Sequence, residues 1–173
     1  MPALRKVVAH ARGGQVLKGF MITASEGELS TLANSMTITL PPELPIHLVD
    51  SDVTLSVPLV GLKALFFVKT FEGRNRTDEA KSFQMAPNLD GVWVRLKFYD
   101  DETTEGVIRN THDFIHEPGF FLNPPDPLSN NELMYVVKNS VSEFLILGAR
   151  HSGVCRTNFS MDKFSSNGGF LVE

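Results

Sequence analysis

The chain has 173 residues and a formal net charge of −4, with 42% hydrophobic and 21% charged residues. These values are ordinary for a folded globular protein and exclude a disordered chain. The acidic balance also disfavours a nucleic-acid binder, because phosphate contacts need a concentrated positive surface. The length fits one domain or two small ones.

The residues of the first half predict strands. Thirteen Phe residues, with many Val, Leu and Thr, favour strands over helices. Residues 7–11 alternate between apolar and polar side chains, and Gly13 with Gly14 predicts a tight turn. Residues 16–23 then return as a second strand that bends at Gly19.

The remainder of the first half alternates between loops and short strands. Residues 25–35 are polar and predict an inserted loop, and residues 36–40 alternate again as a strand. Two further short strands are expected at residues 46–49 and 53–57. In the most apolar segment, residues 60–69, we expect a single helical turn over 60–64, followed by a buried strand from Leu65.

The second half shows the same pattern after a charged connection. Residues 92–98 alternate, Asp100 and Asp101 predict the turn, and residues 103–109 return through Gly106. Three short strands follow, at residues 119–122, 133–137 and 141–147.

The matching halves predict that one supersecondary unit is repeated. We assign a first unit to residues 1–71, a connecting segment to 72–90, a second unit to 91–148 and a weakly ordered tail to 149–173. Two units packed together would bury more surface than either would alone.

The chemical motifs favour no catalytic or metal site. His112 and His116 have the i, i+4 spacing of metal ligands on a helix, but the following Pro118 favours a loop or strand end. His151 and Cys155 lie in the tail, without a third residue to orient a base. We therefore predict no catalytic residue, no metal and no cofactor.

Two groups of side chains are candidates for binding. Arg5, Lys6, Arg12 and Lys18 are expected to form an outward basic face, which is either simply solvated or binds an anion. Trp93 is out of phase with its inward neighbours, and adjacent Phe120 and Phe121 cannot both point inward from a regular strand. These three aromatic side chains predict an interaction surface that is covered either by the rest of the chain or by a partner.

Residues 62–73, with the sequence LKALFFVKTFEG, and residues 118–122 and 129–132 resemble an uncharacterised bacterial family. Its members often lie beside signalling modules such as PilZ or receiver domains. The strand pattern of residues 5–147 also resembles the small, strongly bent Sm-like β-barrels. The resemblance implies an all-β protein of two tandem Sm-like barrels, packed as a pseudo-twofold pair with little helix. The residues that let a PilZ domain bind cyclic dinucleotides are not all present, and the resemblance implies no catalytic residues.

Cys155 is the only cysteine, so no internal disulfide can form, as is typical of a reducing compartment. Residues 1–6 lack the apolar run of a signal peptide, and no stretch approaches the about 20 apolar residues of a membrane helix. We therefore expect a bacterial cytoplasmic protein that does not bind membranes.

The function predicted from these features is a non-enzymatic interaction or regulatory module, with a link to signalling. A protein partner or a homo-oligomer is favoured over nucleic acid. The alternative is nucleic-acid or nucleotide binding through Arg5, Lys6, Arg12 and Lys18. An enzyme is the least favoured class, because it needs a cleft that brings His112 and His116 together with a further acid or histidine.

Overall fold

The computed structural model of the chain describes residues 3–23, 40–73, 82–85, 90–111, 113–126 and 128–150. The predicted loop at residues 25–35 lies outside these ranges, as do residues 36–39 of the strand predicted at 36–40. The same holds for residues 151–173 of the tail predicted at 149–173.

All the described strands belong to one antiparallel sheet of ten strands. The strands are β1 (Ala3–Ala11), β2 (Val16–Thr23), β3 (Glu43–Leu48), β4 (Thr54–Pro58), β5 (Leu62–Val68), β6 (Gly91–Phe98), β7 (Thr103–Ile108), β8 (Gly119–Asn123), β9 (Asn131–Val137) and β10 (Val141–Arg150). Helix in the described part is limited to α1 (Asp113–His116) and two 3₁₀ helices, Leu59–Gly61 and Lys138–Ser140. The predicted all-β class with little helix is confirmed.

The strand order across the sheet is β10-β6-β7-β8-β9-β5-β1-β2-β3-β4, and the sheet is not closed. The first five strands are ordered β5-β1-β2-β3-β4, and the last five are ordered β10-β6-β7-β8-β9. The two sets join where β9 pairs with β5. Two packed barrels were predicted; backbone hydrogen bonds join the two halves into one open sheet.

The predicted turns follow the first strand of each set. Gly14 has φ +85° in the β1–β2 turn, and Asp101 has φ +63° in the β6–β7 turn. Both turns require a left-handed backbone conformation, which glycine adopts freely and aspartate tolerates better than most residues. These two turn predictions are confirmed.

One boundary prediction is wrong. The helical turn expected over residues 60–64 is a 3₁₀ helix of only Leu59–Gly61, and β5 already begins at Leu62. The reason is that Leu62 and Ala64 pair with Ala11 and His10 of β1, so their backbone is held in the extended conformation.

Two hydrophobic cores lie on opposite faces of the sheet where β5 meets β9. In β9, Leu133 and Tyr135 point into the first core, whereas Met134 and Val136 point into the second. Strand side chains alternate between faces, so a strand between two cores is apolar throughout. This explains why residues 60–69, which contain β5, are the most apolar segment of the sequence.

Candidate functional site

A cleft of about 430 Å³ opens on the face of the sheet where β1, β2 and β5 lie side by side. Val8 of β1 pairs with Lys18 of β2 on one side and with Phe66 of β5 on the other. Paired residues in antiparallel strands point to the same face, so these three side chains form a row. Val8 lies between the buried Val7 and Ala9, and the row therefore faces away from the first core.

The wall of the cleft is the segment after β5, residues 69–73. The ammonium of Lys6 donates a hydrogen bond to the carbonyl of Lys69 (3.0 Å), and that of Lys18 donates to the carbonyl of Phe71 (3.0 Å). On the other side, the Thr70 amide donates to Oδ1 of Asn130 (3.0 Å), and Nδ2 of Asn130 donates back to the Thr70 carbonyl (2.9 Å). The wall is therefore fixed to both halves of the chain.

The cleft combines an apolar floor with a rim of mixed charge. The floor includes Val16, Phe66 and Val68, and the ring of His10 lies 4.7 Å from that of Phe66. The rim carries Lys18, Glu72 and Glu102, and the amide side chains of Asn130 and Asn131 complete the lining. One cation and two anions line the rim, so the site does not present one sign of charge.

An ion cluster around the buried Lys63 holds the β6–β7 turn against β5, beside the cleft. The Lys63 ammonium lies 2.6 Å from Oδ2 of Asp100, 2.6 Å from Oε2 of Glu102 and 4.5 Å from the centre of the Phe98 ring. Burial works to lower the pKa of Lys63, but its hydrogen bonds to both carboxylates outweigh burial and raise it. The hydrogen bond from Lys63 lowers the pKa of Asp100.

The role of Lys63 was not predicted from the sequence, although the position of this residue in an apolar run indicates it. Lys63 is the single charged residue between Val60 and Val68. A lysine in a strand that is buried on both faces needs an anionic partner. Asp100 was interpreted only as a turn former, and nothing in the local pattern connects it with β5.

A buried acid, Glu105 of β7, forms a second cluster of hydrogen bonds in the second half. Its Oε1 accepts hydrogen bonds from Nε (2.9 Å) and Nη2 (2.7 Å) of Arg95. Its Oε2 accepts from the Phe83 amide (3.0 Å) and from the indole of Trp93 (3.2 Å). Burial works to raise the pKa of Glu105, but these hydrogen bonds together lower it.

The model of a family of unknown function, DUF6982, matches residues 3–148. The chain belongs to this family. The DUF6982 match extends from β1 into β10 and includes the cleft and both ion clusters. It agrees with the expected membership of an uncharacterised family. No curated protein and no solved structure matches the chain.

The predicted basic face of this DUF6982 protein is divided between the two faces of the sheet. Arg5 pairs with Met21, whose side chain lies in the first core, whereas Lys6 and Lys18 point to the opposite face. Arg12 lies in the hairpin turn, with its guanidinium 5.5 Å from the centre of the Tyr99 ring. The expectation that all four share one outward face is wrong, because adjacent strand residues such as Arg5 and Lys6 point in opposite directions.

The three predicted interaction aromatics pack against other parts of the chain, and only Phe120 is fully buried. Phe120 is buried in the second core, and Phe121 packs on the opposite face with its ring 5.0 Å from that of Tyr135. Trp93 makes an edge contact with Phe83 of the connecting segment, at 5.9 Å between ring centres. Phe120 and Phe121 both pack inward because this part of the sheet has a core on each face.

The remaining chemical candidates are not assembled into a site by the described residues. His116 ends α1 and is exposed, while His112, His151 and Cys155 lie outside the described ranges. In the part of the chain that the structure covers, no three His, Cys, Asp or Glu side chains are grouped to hold a metal ion. Across the same residues, no helix has the length and apolar character needed to span a membrane.

Proposed function

We propose that the chain is a non-enzymatic binding module that receives part of a protein partner in the cleft beside β1 and β2. One observation carries this proposal. The cleft volume of about 430 Å³ falls in the range of roughly 300–1,000 Å³ that is typical of ligand pockets. Its apolar floor is open to solvent, and a few polar groups converge on its rim, which is the usual composition of a binding site.

The polar groups around the cleft support binding over catalysis. Lys18 is held by the Phe71 carbonyl, Asn130 by the backbone of Thr70, and Glu102 by Lys63. A general acid or base must lie within hydrogen-bond reach of the proton that it transfers. These groups are instead used to fix the shape of the wall and rim.

The occupant that fits best is an apolar side chain of a partner protein, flanked by backbone that the polar rim can bind. The floor of Val8, Val16 and Phe66 favours an aromatic or aliphatic group, and the rim of Lys18 and Glu72 suits a peptide of mixed charge. Such a contact matches the buried anchor residues that dominate protein–protein interfaces.

The alternative function, nucleic-acid binding through the basic face, has weaker support. Lys6 and Lys18 are already bound to carbonyls, Arg5 is on the other face, and the cleft rim carries acids that repel phosphate. We expect no retardation of single- or double-stranded oligonucleotides in a gel shift at low salt. A salt-sensitive shift that is lost in Lys6→Ala/Lys18→Ala would favour the alternative.

The proposed binding can be tested by selecting peptides from a phage-displayed random library against the full chain. We expect the enriched peptides to share an aromatic or aliphatic position. Val16→Glu changes a cleft valine that is 50% exposed, and the matched control Val60→Glu changes one that is 58% exposed and lies outside the cleft. Affinity should fall about tenfold or more in Val16→Glu and stay unchanged in Val60→Glu. Equal binding by both variants, or no enrichment at all, would contradict the proposal.

The finer architecture belongs to the same proposal: two tandem Sm-like units in a bacterial cytoplasmic protein with a regulatory role. The shared strand order supports the repeat. So do Gly19 and Gly106, because at each of them an added Cβ atom would clash with the third strand of the same set. An experimental structure in which residues 3–68 and 91–147 cannot be superposed would contradict the repeat.

A further inference from the structure

The two strands at the free edges of the sheet occupy the same places in their sets as the two strands that join its halves. At the internal junction, the fifth strand of the first set, β5, pairs with the fourth strand of the second set, β9. The strands left at the ends are the fifth of the second set, β10, and the fourth of the first set, β4. Among the described residues, each of these end strands has a sheet neighbour on one side only.

The apolar residues at the β10 edge are exposed, whereas their counterparts in β5 are buried. Each of these strands directly follows a 3₁₀ helix of three residues, which aligns Phe67 with Ile146 and Phe66 with Leu145. Phe67 is 1% exposed at the junction, but Ile146 is 62% exposed at the free edge. Leu145 is also exposed, whereas Phe66 is half-buried. At the junction β9 lies beside β5, whereas no described strand lies on the outer side of β10.

The β4 edge shows the same difference. Counting back from the same 3₁₀ helices aligns Leu55 with Met134. Met134 is 6% exposed next to β5, whereas Leu55 is 37% exposed at the free edge. An unpaired strand with exposed apolar side chains is a template for pairing with another chain.

We propose that a second copy of this chain occupies these edges, with β10 of one copy pairing antiparallel with β4 of the next. The internal junction sets the register. Phe66 pairs there with Met134 and Phe67 with Leu133, so Leu145 should pair with Leu55, and Ile146 with Thr54. Because the two edges differ, the contact is head-to-tail, and it generates either a closed ring or an open chain.

The proline at the end of β4 does not oppose this pairing. Pro58 aligns with Val137, which pairs with Gly119 of β8 and lies beyond the β5–β9 ladder. Pro58 has no amide hydrogen, and by this alignment its position needs none for pairing with β10 of the next copy.

The contact should be weaker than the internal junction. Leu133 and Tyr135 of β9 contribute to the first core, but the aligned residues of β4 are Thr54 and Ser56. Less apolar surface is buried, so assembly should depend on concentration and reverse on dilution.

Sedimentation velocity of the full chain from micromolar to millimolar concentration tests the proposal. We expect wild type to form species larger than a dimer. Ile146→Lys and Leu55→Lys each block one edge, so each variant alone should stay monomeric. An equimolar mixture should form a one-to-one dimer through the two intact edges. Val60→Lys, which changes an exposed valine that belongs to neither edge strand, should associate like wild type.

Several results would overturn the proposal: a wild type that stays monomeric at every concentration, a mixture that stays monomeric, or association of Leu55→Lys alone through two β10 edges. Circular dichroism checks that each variant is folded.

The register has a separate test in a Cys155→Ser background. Leu145→Cys and Leu55→Cys chains should be joined by a short thiol-reactive cross-linker, because directly paired side chains lie about 5 Å apart; no cross-linked product would refute the register. Val16→Glu should assemble normally, so failure of self-association leaves the cleft proposal intact.

Discussion

Gly106→Ala tests whether the close approach of β7 and β8 needs glycine. A Cβ atom at this position would lie 2.4 Å from Cγ of Leu122 and 2.6 Å from the carbonyl oxygen of Asn123. Leu122 is fully buried, so it cannot move aside into solvent, and the Asn123 oxygen belongs to the backbone. The strands must separate, and such overpacking costs about 1–3 kcal/mol. Alanine also lowers the entropy of the unfolded chain, which offsets about 0.4–1 kcal/mol.

We therefore expect Gly106→Ala to lower the free energy of unfolding by about 1–2 kcal/mol. Urea denaturation followed by the fluorescence of the single tryptophan, Trp93, measures this change. The matched control is Gly13→Ala, because nothing lies within 4 Å of a Cβ atom at Gly13. The control should change stability by less than about 0.5 kcal/mol. Equal stabilities of the two variants would refute the steric reasoning.

Two further predictions concern the ion clusters. Because the folded pKa of Glu105 lies below its ordinary value of 4.5, its charged form stabilises the fold above that pH, and the contribution is lost as pH falls through the lowered pKa. Glu105→Gln should therefore cost about 2 kcal/mol at pH 7 and much less at pH 3, and a cost that does not vary with pH in urea titrations would contradict this. Asp100→Asn/Glu102→Gln leaves the 5% exposed Lys63 ammonium without an anion and should cost about 3 kcal/mol or more. Lys63→Met leaves carboxylates that are 41% exposed and can rehydrate, so its cost should stay below about 1 kcal/mol, and the reverse order in the same assay would show that the burial argument is wrong.

Much of the fold could be predicted from local pattern. Alternation of apolar residues located most strands, and Gly14 and Asp101 occupy the turns that their residue types predict. The same alternation places Arg5 and Lys6 on opposite faces of the sheet, which the prediction of one basic face did not take into account. The candidate site was much less predictable, because only Lys18 of the proposed residues lines the cleft.

Local sequence pattern was sufficient to predict the strand class, the two tight turns and a buried strand from Leu65. These features depend on backbone preference and on side-chain alternation, which act over a few neighbouring residues. Three contacts could not be predicted from the sequence: β9 pairs with β5, Lys63 is bound by Asp100, and residues 69–73 meet Asn130 to form the cleft. Each of these contacts joins segments more than thirty residues apart. Such pairing depends on which strand edges remain free once each half has folded, and no local pattern encodes that.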